Sequence, residues 1–464
     1  MKQYKSDGTP INIEARIYDK NYRLKEVKDG LNNTTKYTYD NIGNLYIIED
    51  ANSNKTRYWY DPYCNYRIAE IDPLGKIARY TYYKNGRLNT KQDKNKQTIT
   101  YEYNLAGRLK KAIYPDASSV QYQYNKYGKT SRMTDSQGIT NYTYNNRGWL
   151  TEVDGPEAND TVSNTYDNVG SRLSMTTSGE GTYNYTYYNN DLLQTITNPQ
   201  TQVTTFTYDT AERCKSMVYA NGTKTEWNYY DNDQVQNLSV KDATAQTLNS
   251  FAYEYNTLNQ LIKIIDKDNN TYNYTYDNAG QLVHEDKKDA GNIIVYYRDY
   301  TYDPAGNRIS EIQDGQNIAY SYNAGNQLIL RSLLMNTITY TYNANGNLTT
   351  ETSFVSGVKN YTYDYENRLT NATLPGGTFE TYAYSGDGRR IAVNTNGNVV
   401  KYIYDAGLPI IERDAAGTTL TAYTRIPEAP GGIGGLISAH DSILNTQYTI
   451  LLPLCTLRQC NSTH

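Results

Sequence analysis

A nine-position pattern, Y-x-Y-[DN]-x-x-G-x-L, occurs 19 times in this 464-residue chain. Its first positions fall at 16, 37, 58, 80, 101, 122, 142, 164, 185, 206, 227, 253, 274, 300, 320, 340, 361, 382 and 402. Sixteen of the 18 gaps are 20 to 22 residues and the other two are 26. A unit this short cannot bury a core alone, so its stability must accumulate by contact between neighbours. The two long gaps carry five-residue insertions, around 242–250 and 286–292, which predict longer hairpin loops.

Each slot of the unit has a physical task. The third slot is Tyr in all 19 copies, including Tyr39, Tyr103, Tyr276 and Tyr342. The first is Tyr in 15, as at Tyr37, Tyr101, Tyr274 and Tyr340, with Phe206 and Trp227 among the exceptions. Residues i and i+2 of a strand share a face, so each copy sets two rings on one pleated surface. Neighbouring copies can then stack those rings as cross-strand pairs. Tyrosine also suits a wet boundary, where the hydroxyl stays hydrated while the ring packs.

The fourth slot is Asp or Asn in 15 copies, as at Asp40, Asn104, Asp277 and Asn343, and can initiate a turn. Gly fills the seventh slot in ten copies, as at Gly43, Gly107, Gly280 and Gly346. Asp191, Asp233, Asn259, Asn326 and Asn367 replace it elsewhere, the substitution pattern expected of a left-handed backbone. Leu45, Leu109, Leu282 and Leu348 hold the ninth slot, where a returning strand begins. Strand, tight turn and strand make each copy a β-hairpin.

The two-residue alternation and frequent turn signals leave no stretch for an amphipathic helix. Some 38 strands at about 4.8 Å spacing would form a ribbon on the order of 180 Å across. Open twisted sheets rarely exceed about ten strands, so such a ribbon must coil or close. Wound once it gives a ring on the order of 55–60 Å in diameter, and wound twice about 30 Å. The expected fold is all-β: tandem hairpins forming a coiled or spiral β-sheet shell, partial and open.

Composition narrows the function classes. Leu, Ile, Val and Phe make up only about 18%, a level that ordinarily signals disorder, but 52 tyrosines supply the missing apolar area. A net charge of −4 and pI near 5.6 argue against a nucleic-acid surface or a polybasic membrane patch. No run approaches 18 apolar residues, so no membrane span is expected. The opening Met1-Lys2-Gln3-Tyr4-Lys5-Ser6 has no apolar core of a secretory signal. Three histidines leave little room for imidazole or metal chemistry, and a non-enzymatic protein without cofactor or metal is expected.

The unit, its spacing and the length of the array resemble the YD repeats of the Rhs family, which also occur in the C subunits of bacterial toxin complexes and in teneurins. The likeness covers residues 10–425. It continues where Tyr423-Thr424-Arg425 leads to Pro430-Gly431-Gly432-Ile433-Gly434-Gly435-Leu436, similar to the glycine-rich "GGL" segment near the end of the Rhs shell. The resemblance implies a hollow spiral shell, secreted or at the cell surface in the full-length protein, that encloses a variable C-terminal toxic domain. The implied partners are that cargo and upstream shell segments; teneurin-like and wall-associated members imply the alternative of an adhesion or carbohydrate-binding module meeting glycans or proteins.

Three organisational segments follow: the array at 1–425, a Pro/Gly-rich shell-end segment at 426–447, and an atypical tail at 448–464. The chain departs from the family pattern by beginning inside the array and stopping after the glycine-rich segment. It also lacks the aspartate-containing self-cleavage region. Asp72-Pro73-Leu74-Gly75 and Asp303-Pro304-Ala305-Gly306 resemble part of that region's D-P-x-G element, but their place in ordinary repeats marks them as turns. Codon degeneracy allows the next frame under Thr449–Thr463 to encode L-Y-Y-Y-H-Y-A-R-L-G-N-V-T-A-L. The family commonly continues with a similar segment, so a frameshifted tail on a truncated gene is the expectation. An unshifted apolar tail is the competing one.

The remaining candidate sites are weak. Cys64 and Cys214 lie 150 residues apart in turn or turn-adjacent slots, and the spacing of Cys455 and Cys460 suits neither a zinc knuckle nor a redox motif. His284, His440 and His464 have no recurring acidic or nucleophilic partner in sequence. Ser438-Ala439-His440-Asp441 groups suggestive side chains, but reads as a loop. The glycine run at 431–435 lacks the Lys-Ser/Thr of a phosphate-binding loop. The tyrosine ladder could contact sugars or peptides, yet wall packing accounts for it first.

Overall fold

The computed structural model of the chain describes residues 3–4, 10–11, 14–334, 336–426, 436–441 and 446–449. Between Glu14 and Arg425 it contains 39 strands of five to nine residues. The one helical element among the described residues is a 3-10 turn at Pro375–Gly377. Strands adjacent in sequence pair antiparallel in an open sheet, as the alternating apolar pattern requires.

One hairpin shows how the sequence sets the register. Thr34–Tyr39 runs into a turn at 40–44 and returns as Leu45–Glu49. Tyr37 faces Ile48 and Thr38 faces Ile47, but Tyr39 faces Leu45, so Tyr46 is bulged out of the ladder. The same shift precedes the third-slot tyrosine at Tyr18, Tyr60, Tyr187, Tyr276, Tyr342 and Tyr384. A bulge at a fixed position bends each return strand the same way, which adds curvature with every copy.

The turn itself is an Asx turn. Asp40 Oδ1 accepts the N–H groups of Ile42 at 3.0 Å and Asn44 at 2.8 Å, while Gly43 N–H donates to the Asp40 carbonyl. That closure needs a left-handed residue in the seventh slot, where Gly43 has φ +100° and Asn259 has φ +62°. The turns at the opposite ends of the strands have the same closure, as in Asp50–Asn54 and Asp93–Gln97.

The two insertions do not become longer loops. Asp242–Gln246 and Asp289–Ile293 close with the same five-residue turn, and the added residues extend Thr247–Tyr255 and Ile294–Tyr302 to nine residues each. Backbone groups added in a loop would need water or side-chain partners, whereas strand extension pairs them directly. Each extension carries a second bulge, before Lys241 and before Lys288.

The chain forms two compact units. One comprises Met1–Arg108, Ala112–Ala117 and Tyr253–Phe379; the other comprises Leu109–Lys111, Ser118–Ala252 and Glu380–His464. The second holds the larger share of fully buried side chains. Tyr183, Ile196, Phe206, Met217, Trp227, Leu238, Ile410 and Ile411 are all at most 3% exposed. First-slot rings and their cross-strand partners make this core: Phe206 faces Met217, and Trp227 faces Leu238.

Candidate functional site

The feature that repeats through the array is a hydroxyl lock between consecutive hairpins. Tyr39 donates its hydroxyl to the Leu24 carbonyl at 2.8 Å, Tyr60 to Leu45 at 2.9 Å and Tyr82 to Arg67 at 2.8 Å. Tyr124, Tyr166, Tyr187, Tyr208 and Tyr229 do the same with Leu109, Leu150, Arg172, Leu193 and Cys214. Tyr276, Tyr302, Tyr322, Tyr342 and Tyr404 continue the series with Leu261, Leu282, Arg308, Leu328 and Arg390. In every case the donor is the third slot of one copy, and the acceptor is the ninth slot of the copy before it, except at Arg67, one position later after a turn that is one residue longer.

The lock sits where the backbone ladder gives out. Strand Leu261–Asp266 pairs with Thr271–Tyr276 only as far as Lys263 opposite Asn273. The Leu261 carbonyl lies beyond that point, and the Tyr276 hydroxyl reaches it at 2.8 Å. Burial of these rings disfavours the phenolate: Tyr187 is pushed up to about 12 by desolvation. The hydroxyl is therefore a structural donor, which corrects the expectation that it stays hydrated. A signal for this was present in the sequence, because the first slot admits Phe206 and Trp227 while the third never gives up its hydroxyl.

The rings do not stack copy on copy as expected. A return strand separates consecutive tyrosine strands, placing them about 10 Å apart. Several third-slot rings are covered instead by a turn residue of the previous copy. Arg23 lies over Tyr39 at 4.6 Å from the centroid, and Arg213 over Tyr229 at 4.7 Å. Where tyrosine replaces the fourth-slot acid, Tyr83 meets Tyr103 edge-on and Tyr188 meets Tyr208 likewise. Those two phenols donate onward to the Tyr101 and Phe206 carbonyls.

The other motif residues have the same local setting. Tyr274 and Tyr340 face Glu285 and Glu351, while Tyr276 and Tyr342 face Leu282 and Leu348 across their bulges. Tyr101 and Tyr103 lie on Thr98–Tyr103, Asn104 and Gly107 close the turn, and Leu109 begins the return strand. Asp277 and Asn343 accept turn N–H groups through Oδ1, and Gly280 and Gly346 have φ of +82° and +93°. At Asp19 the backbone N–H and then the guanidinium of Arg23 hold the carboxyl below its ordinary value.

A second constellation was illegible in sequence: turns about 250 residues apart meet. In the first unit, Asn95 N–H donates to Asn345 Oδ1 at 3.1 Å and Ala344 N–H donates back to Asn95 Oδ1 at 3.0 Å. Asn52 Nδ2 donates to Asp303 at 2.8 Å, and Tyr114 donates to Glu366 at 2.6 Å while stacking on Tyr365. These contacts join the distal turn of one hairpin to the proximal turn of the hairpin twelve copies later. In the second unit Tyr122 donates to the Gly386 carbonyl at 3.0 Å. Arg413 donates to the Asn159 and Ser178 carbonyls at 2.7 Å each, and Arg172 is paired with Asp405.

The weaker candidates resolve into structure. Asp72 and Asp303 accept the N–H groups of their own turns, with Gly75 and Gly306 left-handed. Cys64 and Cys214 are free thiols; burial pushes Cys214 up to about 12. His284 does have acidic partners, Asp299 at 2.6 Å and Asp286 at 3.1 Å, brought in by strand pairing, and the Asp299 bond foremost raises its pKa. Ser438, His440 and Asp441 lie on strand Leu436–Asp441, paired with Thr419–Arg425, so the segment is not a loop. Thr446–Thr449 pairs with that strand in turn. Pro430, Gly431, Gly432, Gly434 and Gly435, with residues 450–464, lie outside the described residues, and of Leu436 the strand alone is described. Among the described residues no cluster of three or more His, Cys, Asp or Glu could hold a metal ion, and no helix is long and apolar enough to cross a membrane.

Comparison with known proteins meets this geometry directly. The teneurin YD-shell profile matches residues 250–408, and the RHS-repeat profile matches residues 187–224. Over those residues the chain is similar to the YD-shell and RHS-repeat families. The crystal structure of TcdB2-TccC3-TEV superposes with a TM-score of 0.65 at 16% identity, over 95% of this YD-repeat chain and 30% of that one. The Photorhabdus luminescens Tc holotoxin pore gives 0.63 at 16% identity, over 90% and 27%. At such identity the likeness is one of fold. The tRNA nuclease WapA of Bacillus subtilis (strain 168) is 30% identical over 227 residues, covering 47% of this chain and 9% of the relative. The double-stranded DNA deaminase toxin A of Burkholderia cenocepacia (strain H111) is 26% identical over 191 residues, covering 38% and 12%. The YD-repeat chain thus spans about a tenth of these curated relatives and under a third of the solved chains.

Proposed function

We propose that this YD-repeat chain is a non-enzymatic wall segment of a secreted or cell-surface shell that encloses a C-terminal toxin or effector in a longer protein. The observation that carries the reading is the lock itself. It joins hairpin to hairpin by the same bond along the array, and turn contacts recur between copies twelve apart, as a wound wall would require. The nuclease and deaminase toxins that share the repeat are several times longer than this chain, which supports placing the activity in their remaining parts. In this reading the array at 1–425 is the wall and the Pro/Gly-rich segment at 426–447 closes it, with the motif residues acting as joints. The chemistry of the wall is separation: a continuous hydrogen-bonded sheet presents no backbone edge to a protease except at its two ends.

The test is limited proteolysis of the full-length gene product with its downstream domain. The downstream domain should resist protease until the denaturant concentration that melts the array, then be cut at the rate of the isolated domain. Cleavage at the isolated-domain rate under native conditions would overturn the proposal.

A further inference from the structure

Two joints of the first unit's seam are made by amides and carboxylates, Asn52 with Asp303 and Asn95 with Asn345. A third joint is aromatic. Tyr114 begins a distal turn at the place where Asp50 and Asp93 stand in other copies, and Tyr365 lies in the turn Asp364–Arg368. Both rings are half-buried, and they form an offset stack with centroids 6.0 Å apart and planes within 17° of parallel. The Tyr114 hydroxyl donates to Glu366 Oε1 at 2.6 Å, the length of a charge-assisted bond.

We infer that Tyr114 and Tyr365 are an oxidative cross-linking site, at which a dityrosine bond closes the seam covalently. The step is a two-electron, two-proton oxidation by a peroxide. Each phenol loses one electron and its hydroxyl proton, that of Tyr114 to the Glu366 carboxylate and that of Tyr365 to solvent. The two radicals join through a ring carbon ortho to each oxygen, and the hydrogens on those carbons move to the oxygens as the rings regain aromaticity. The peroxide O–O bond breaks as it takes up the two electrons, and Glu366 passes its proton to solvent. Removing an electron makes a phenol strongly acidic, so a carboxylate already bonded to the hydroxyl eases the loss. Three other tyrosine pairs lack that help. Tyr83 and Tyr188 meet their partner rings edge-on and donate to backbone carbonyls. Tyr66 and Tyr82 are closer, at 4.9 Å, but Tyr82 donates to the Arg67 carbonyl. The bond at Tyr114 would join residues about 250 positions apart and so restrict the unfolded chain. It does not depend on the chain enclosing any cargo.

Brief illumination of the dilute, purified chain with ruthenium tris-bipyridyl and persulfate, itself a peroxide, tests this. Peptide mass spectrometry should find the segments holding Tyr114 and Tyr365 joined within one molecule, lighter than their sum by two hydrogens. Dityrosine fluorescence should rise with that product, and the oxidised chain should unfold at a higher urea concentration than the untreated one. Tyr114→Phe and Tyr365→Phe, each shown by circular dichroism to be folded, should each abolish the product. Glu366→Gln keeps both rings and should slow its formation by at least about tenfold. Absence of the Tyr114–Tyr365 product, its appearance only between molecules, or an unchanged rate in Glu366→Gln would each overturn the inference.

Discussion

Replacing Tyr276 by Phe removes one hydroxyl and leaves its ring in place. In the structure that hydroxyl donates to Leu261 at 2.8 Å, at a point where the ladder between the two strands has already ended at Lys263 and Asn273. The change therefore loses a hydrogen bond worth about 1 kcal/mol and leaves a partly buried carbonyl without that donor, for a total of about 1–2 kcal/mol. Tyr274, two residues earlier on the same face, provides an internal control. Its slot holds Phe206 and Trp227 in other copies, so Tyr274→Phe should stay within about 0.5 kcal/mol of wild type. Equilibrium urea unfolding followed by far-UV circular dichroism gives the global change. Hydrogen exchange on the peptides around Leu261 and Tyr276 reports it locally, because repeat arrays can open in parts. Adding Tyr60→Phe, Tyr208→Phe and Tyr342→Phe in distant hairpins should bring the loss to about 4–8 kcal/mol by near-additivity. Equal effects of Tyr274→Phe and Tyr276→Phe would refute the reasoning, since ring packing alone would then explain both slots.

Gly280 has φ +82°, so Gly280→Val should cost about 1–3 kcal/mol in urea unfolding, and Gly280→Asn much less. Arg172→Ala leaves Asp405 without its cation in a largely buried setting and should cost about 3–5 kcal/mol by the same assay, while Arg172→Met with Asp405→Leu recovers most of it. The array should lose stability on the alkaline side. Tyr142, Tyr187 and Tyr274 are pushed up to about 12 by burial, above the unfolded value of about 10. Their contribution is complete below about pH 10 and is lost as pH rises through the folded values, so phenolate absorbance and loss of sheet signal should rise together. Phenolate forming ahead of unfolding would contradict that prediction.

The repeat fixed most of the local fold in advance. Period-two alternation, Asp40 and its equivalents, and the Gly/Asn/Asp exchange at the seventh slot specify strand, Asx turn and left-handed residue from short-range chemistry. The distal turns were harder to read because left-handed residues there include Ser53, Lys96, Ala117 and Thr201, types that carry no such signature. The insertions were misassigned for a related reason, since length alone does not say whether added residues enter a turn or a ladder. The lock was half legible. Invariant Tyr in the third slot implied a use for the hydroxyl, but its acceptor is a backbone carbonyl, which every residue type provides. Contacts such as Asn95 with Asn345 were invisible, because no local pattern distinguishes these asparagines from those that close ordinary turns. The acidic partners of His284 likewise come from a neighbouring strand as well as its own.

The claim on which the account rests is that locked hairpins bring turns twelve copies apart into contact. Short-span thiol cross-linking measures this directly in a chain with Cys64, Cys214, Cys455 and Cys460 replaced by Ser, carrying Asn95→Cys with Ala344→Cys, and compared with Asn85→Cys with Ala344→Cys. The account predicts rapid intramolecular linkage of the first pair at dilution, identified by peptide mass spectrometry, and little of the second, whose Asn85 lies in the opposite turn of its hairpin. Equal linkage of both pairs, or linkage of neither, would contradict it.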